Sequence, residues 1–242
     1  MRNWLPATAL AVLLIGLAGP VLAQELTLNL GDQGSLSARS IQLLVLITVL
    51  SLVPGLAVMI TCFPFIVTVL SILRQAIGLQ QSPPNMLIVS LALFLTWYVM
   101  DPVFTEAWTT GMEPLTRGET DLQTAIPAIL APFRVFMSAR MDADTFAAMQ
   151  ALRPGESSSV AQAPLSLMVP SFLLSEIQRA FEIGFLIFLP FLIIDLVVAA
   201  VLMSMGMMMV PPSIVSLPFK LAFFVVADGW SLVSGALVRS YF

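Results

Sequence analysis

Between Ser40 and Leu73 the chain carries no charged residue for 34 positions, and Gln75–Met100 is a second uncharged run. These runs constrain the fold more than any other feature. A helix crosses a hydrocarbon core of about 30 Å with about 20 apolar residues. In that medium backbone polar groups must be satisfied within the structure, which leaves helices and closed barrels. Composition agrees: 59% of the 242 residues are hydrophobic and 10% are charged, against about 25% charged in soluble domains. The expectation is an all-α, membrane-associated protein.

The charge map gives the organisation. Fourteen of the 24 charges lie between Glu106 and Glu182, and Ile183–Val238 holds only Asp195, Lys220 and Asp228. Two hydrophobic blocks, 24–104 and 183–242, thus flank a polar region, 105–182. Four hydrophobic segments are predicted near 41–62, 86–104, 183–203 and 213–235. The first uncharged run would be about 50 Å long as one helix, too long for one straight span. Pro54-Gly55 and Pro64 lie inside it, so it is broken or continues beyond the membrane plane. Gln80–Pro84 reads as a turn, and Asp101-Pro102 as the end or a kink of the second span. In the polar region, Asp121–Phe136 reads as a helix interrupted by prolines, Asp142–Leu152 as a short helix and Arg153–Ser159 as a loop; none of it is expected to span.

Met1–Ala23 has a short n-region with Arg2, an apolar stretch from Leu10 to Leu17, and small residues after Gly19-Pro20. This is the pattern of a signal peptide cut between Ala23 and Gln24. The cleaved signal places the N-terminus, the polar region and the C-terminus on the far side of the inner membrane.

Several functions are excluded. Net charge −4 with ten basic residues provides no phosphate-binding patch. No histidine is present, which removes the usual general base and the Ser-His-Asp triad. The one cysteine, Cys62, cannot form an internal disulfide. No GxSxG, Walker A, GxGxxG or HExxH motif occurs. No catalytic residue, cofactor or metal is expected.

The notable residues sit in the last 75 positions. In PSFLLSEIQRAFEIGF (Pro170–Phe185), Glu176, Arg179 and Glu182 share helical spacing and can bond along one face. Asp195, Lys220 and Asp228 stand in apolar runs, where an ionisable group normally faces protein or a water-filled cavity with a partner. Asp195, Glu176 and Glu182 are the acidic candidates for Lys220, within one chain or across subunits. Met203–Pro212 is half methionine; such flexible, polarizable side chains suit a changing surface, and equally an apolar helix end with a turn.

PSFLLSEIQRAFEIGF, PFLIIDLVVAAVLMSMGMMMVPP (Pro190–Pro212), LPFKLAFFVVADGW (Leu217–Trp230) and ITCFPFIVTVLSILRQAIGLQQSPPN (Ile60–Asn85) closely resemble the FliP family, the P component of type III secretion export gates. The signal peptide and the MGMMMVPP block are more similar to the flagellar than to the injectisome branch. The resemblance implies proline-bent hairpins assembled into a helical, closed channel: a homo-pentamer with the Q and R components, at the inner membrane of the flagellar basal body and extending toward the periplasmic side. It implies further partners in the switch component B, the large component A, the assembly factor O, membrane lipid and unfolded flagellar export substrates. It implies that Met205, Met207, Met208 and Met209 seal the resting pore. Glu176 and Lys220, with Arg179, Glu182, Asp195 and Asp228, are then expected to pair within the membrane or between subunits.

Overall fold

The structure, a computed structural model, describes residues 33–79, 83–152, 159–207 and 209–242. The signal cleavage site at Ala23 and Gln24, and Met208, lie outside the described residues. All regular elements among the described residues are helical. The chain divides into two units, 1–50 and 51–242. The first is described only by the start of α1 (Gln33–Met59), whose side chains Ile41, Leu44 and Ile47 are exposed.

In the second unit the break in the first uncharged run falls at Ile60–Cys62, not at Pro54-Gly55. Pro64 does not kink a helix; it occupies the first turn of α2 (Phe63–Ile77), where a missing N–H costs nothing. The apolar face of α2 forms the core. Phe65, Ile66, Val69, Leu70 and Leu73 recur at helical spacing and are fully buried.

The second span begins as expected, at α3 (Asn85–Ala107), but Asp101-Pro102 does not end it. The helix passes through Pro102 into a π-helical turn, Trp108–Met112, and α4 (Glu113–Thr116). At that turn a Cβ on Gly111 would lie 2.8 Å from the backbone nitrogen of Ile129, so the close crossing with the next helix requires glycine. That helix, α5 (Leu122–Arg140), is also continuous through Pro127 and Pro132. Asp121 caps it by accepting from the Thr124 N–H at 3.1 Å. Contrary to expectation, α5 is long and apolar enough to cross a membrane by length and composition, with mean hydropathy 1.3. Asp142 caps α6 (Ala143–Ala151).

After the short turn Val160–Gln162 comes α7 (Leu165–Ser204), 40 residues without a break. At about 1.5 Å per residue it is about 60 Å long, twice the hydrocarbon core. The compositional boundary at 182 falls inside it and marks no interruption of the backbone. Its first half packs Met168 and Phe172 against Met137 of α5, and Leu167 against Phe146 of α6. Further along, Ala180 and Phe191 pack against the α2 core. The predicted segment 213–235 is two helices, α8 (Pro212–Val226) and α9 (Gly229–Arg239), bent by 61°.

Candidate functional site: two ion pairs and a methionine turn

Glu176 projects from the first half of α7 and is fully buried. One carboxylate oxygen accepts from Arg140 Nε at 3.1 Å, and the other accepts from the Tyr241 hydroxyl. Arg140 ends α5; its Nη1 donates to the Ser240 carbonyl at 2.8 Å, and its guanidinium lies 4.0 Å from the Tyr241 ring centroid. The buried carboxylate is therefore matched by an opposite charge and a hydroxyl, and the guanidinium that pairs with it lies against an aromatic face. Burial, reinforced by the Glu176 carboxylate, pushes the Tyr241 phenol far above its usual range, so it remains a donor. This cluster fastens the residues after α9 to the junction of α5 and α7.

Lys220, on α8, is 7% exposed at its side chain. Its Nζ donates to Asp195 Oδ2 at 2.6 Å and to the Ala76 carbonyl at 3.1 Å. Ala76 lies in the last turn of α2, where carbonyls lack intrahelical partners and the helix dipole favours a cation. Asp195 Oδ1 also accepts from Ser216 Oγ at 2.5 Å. One ammonium thus joins α2, α7 and α8.

Of the three acids considered for Lys220, the structure brings up Asp195. Glu176, Arg179 and Glu182 do not form the ladder that their spacing suggested. Glu176 turns inward to Arg140, whereas Glu182 faces outward and accepts from Gln178 at 3.1 Å. Asp228 stands apart at the α8–α9 corner. The sequence reading missed Arg140, Ser216 and Tyr241. Ser216 was legible in principle, one turn before Lys220 on the same helix. Arg140 and Tyr241 are 36 and 65 residues from Glu176, and no local pattern signals them.

The methionine segment begins with a closed helix end. Met205 is the C-cap of α7; Gly206 N–H donates to Met203 O at 3.0 Å and Met207 N–H to Leu202 O at 3.0 Å. This double bond pattern is a Schellman closure, with the left-handed residue supplied by Gly206 at φ +72°. Pro211 and Pro212 then start α8. Backbone hydrogen bonds close the helix end as far as Met207, while the side chains lie open: Met205 and Met209 are 66% and 97% exposed, and Met207 41%.

Long apolar helices with exposed faces, held together by internally neutralised charges, define a membrane-associated all-helical protein. Comparison with known proteins narrows this. The FliP family model matches residues 46–237. The flagellar biosynthetic protein FliP of Caulobacter vibrioides is 49% identical over 225 residues, 93% of this chain and 85% of that protein. Its counterpart in Agrobacterium fabrum is 45% identical over 244 residues, the whole of both chains. That of Bacillus subtilis is 44% identical over 205 residues, 84% and 93% of the two. The chain belongs to the FliP family, and its role is in flagellar biosynthesis and export.

Proposed function

We propose that this chain is a pore-forming core subunit of the flagellar type III export gate, passing unfolded flagellar subunits across the inner membrane. In this reading several copies, five by family resemblance, assemble with the Q and R components, and the gate extends toward the periplasmic side. Components A and B and the assembly factor O act around it. The chain gates passively; it supplies no bond-making chemistry, and energy enters elsewhere.

The observation that carries the reading is the methionine turn. Its backbone is closed onto the end of α7 by the Gly206 and Met207 hydrogen bonds, and Met205, Met207 and Met209 have large exposed apolar side chains. Unbranched thioether side chains can fill a narrow lumen without fixed partners and yield to a passing chain. An apolar constriction also resists ions by dewetting. A subunit-joining role for Glu176 and Lys220 would require both to exchange their partners within the chain on assembly; normal assembly of a Lys220→Ala protein would count against it.

The test is ion conductance of the reconstituted complex with Q and R. Replacing Met205, Met207, Met208 and Met209 by alanine is expected to leave assembly intact and raise resting leakage. Unchanged leakage would remove the sealing role. Native mass spectrometry of the same complex checks copy number and a mature start at Gln24.

A further inference from the structure

Two charges near the end of the chain are left without an opposite partner by the arrangement above. Asp228 is exposed at the α8–α9 corner, and its carboxylate neither caps α9 nor pairs with a described cation. Arg239 is exposed too; its Nε donates to Gly235 O of its own helix at 3.2 Å, and its remaining donors have no partner among the described residues. Both line one open groove of about 810 Å³ between α3 and α9, together with Tyr98, Ser231, Ser234 and Gly235.

The corner is held firmly. Asp228 has φ +48°, the one non-glycine residue with positive φ among those described. Next to it, a Cβ on Gly229 would lie 2.1 Å from the Phe224 ring. The two charges are therefore kept at a set spacing. Their Cα atoms are about 16 Å apart along the helix. The Arg239 side chain folds back, with Nη2 placed 3.6 Å from where a Gly235 Cβ would stand. The absence of a side chain at Gly235 makes room for it. This leaves about 10 Å along the axis between guanidinium and carboxylate.

We propose that this groove binds the headgroup of a zwitterionic, phosphoethanolamine-type phospholipid. The guanidinium fork suits a phosphate, and Asp228 suits the ammonium group. Two charge-assisted contacts of about 2.8 Å each, plus the headgroup's own length, fill the interval. Tyr98, Ser231 and Ser234 offer hydroxyls to the remaining phosphate oxygens. Exposed apolar residues of α3, Phe94 among them at 75% exposure, give the acyl chains a surface. Tyrosine at such a place is the usual residue of a membrane–water interface. A purely anionic headgroup fits poorly, because Asp228 would repel it.

The inference rests on membrane association and not on the pore, so the conductance experiment does not decide it. The test is lipid titration of the full-length protein in its complex, with bound phosphatidylethanolamine or phosphatidylglycerol counted by native mass spectrometry. The wild type is expected to prefer phosphatidylethanolamine about fivefold, which corresponds to about 1 kcal/mol for an exposed charge contact. Asp228→Asn keeps a residue that tolerates the left-handed backbone and should abolish the preference. Arg239→Gln should weaken both lipids about fivefold. Unchanged melting temperatures would confirm folding of both variants. Equal binding of the two lipids by the wild type, or an unaltered preference in Asp228→Asn, would overturn the proposal. Full displacement by soluble phosphoethanolamine would reassign the groove to a free zwitterion. Loss of a subunit, instead of lipid, would reassign it to a protein contact.

Discussion

The Glu176 cluster and the methionine turn are built on the same helix, α7, in opposite ways. Around Glu176 the side chains are committed to one another: a carboxylate, a guanidinium, a phenol and a carbonyl are joined with almost no solvent access, and only Arg140 Nη2 among them is left without an acceptor. In the turn at the other end only the backbone is committed, through two hydrogen bonds and one left-handed glycine. Electrostatic matching makes the first region costly to alter, because removal of one partner strands the rest. The second tolerates changes of side chain and resists changes of backbone. One helix thus carries a region fixed through its side chains and a helix end fixed through its backbone.

The largest effect should come from breaking the first region. Glu176→Ala leaves the Arg140 charge buried and the Tyr241 hydroxyl without an acceptor, and should destabilise by about 3–5 kcal/mol. Chemical denaturation in detergent, followed by far-UV circular dichroism, measures this. Lys220→Met should cost less, about 1–3 kcal/mol, since Asp195 is already 32% exposed at its side chain and keeps its bond from Ser216. If the two variants lost equal stability, solvent access would not be what separates the two ion pairs.

In the second region the backbone is the sensitive part. Gly206→Ala should cost about 1 kcal/mol, because alanine resists the left-handed conformation at the helix end. No neighbouring atom would touch the added Cβ, so the loss would report conformation alone. Smaller still is an effect of pH on the α6 cap. The Thr145 backbone N–H and hydroxyl hold the Asp142 carboxyl below its ordinary value of 3.8. Its stabilisation is therefore full above about pH 4 and is lost as pH falls through the lowered folded value. Asp142→Ala should flatten that acid-side decline. Alanine at Met207 and Met209 should change stability by less than about 0.5 kcal/mol, as exposed substitutions usually do. A larger loss would mean that these side chains are packed and not free.

Much of this was legible along the chain. The helices that start near Asp121 and Asp142, the all-helical class and the need of Lys220 for an acidic partner follow from local pattern or from the cost of charge in apolar surroundings. Prolines were the poorest guide. Pro102 read as the end or a kink of its helix and Pro127 and Pro132 as interruptions, yet the helices continue through all three. Removal of one N–H bends or weakens a helix, but flanking residues and tertiary packing can carry it through.

Sequence alone determined which segments are apolar, where the charges are scarce, and that methionines, a glycine and paired prolines stand together in one block. These are consequences of composition and near-neighbour spacing. Tertiary structure alone decided that Glu176 belongs to Arg140 and Tyr241, that Lys220 reaches both Asp195 and the end of α2, and that Asp228 and Arg239 face one groove. Those pairings join residues brought together only when α7 packs across α2, α5 and α8. A buried charge takes the partner that the packing delivers, whatever its distance along the chain.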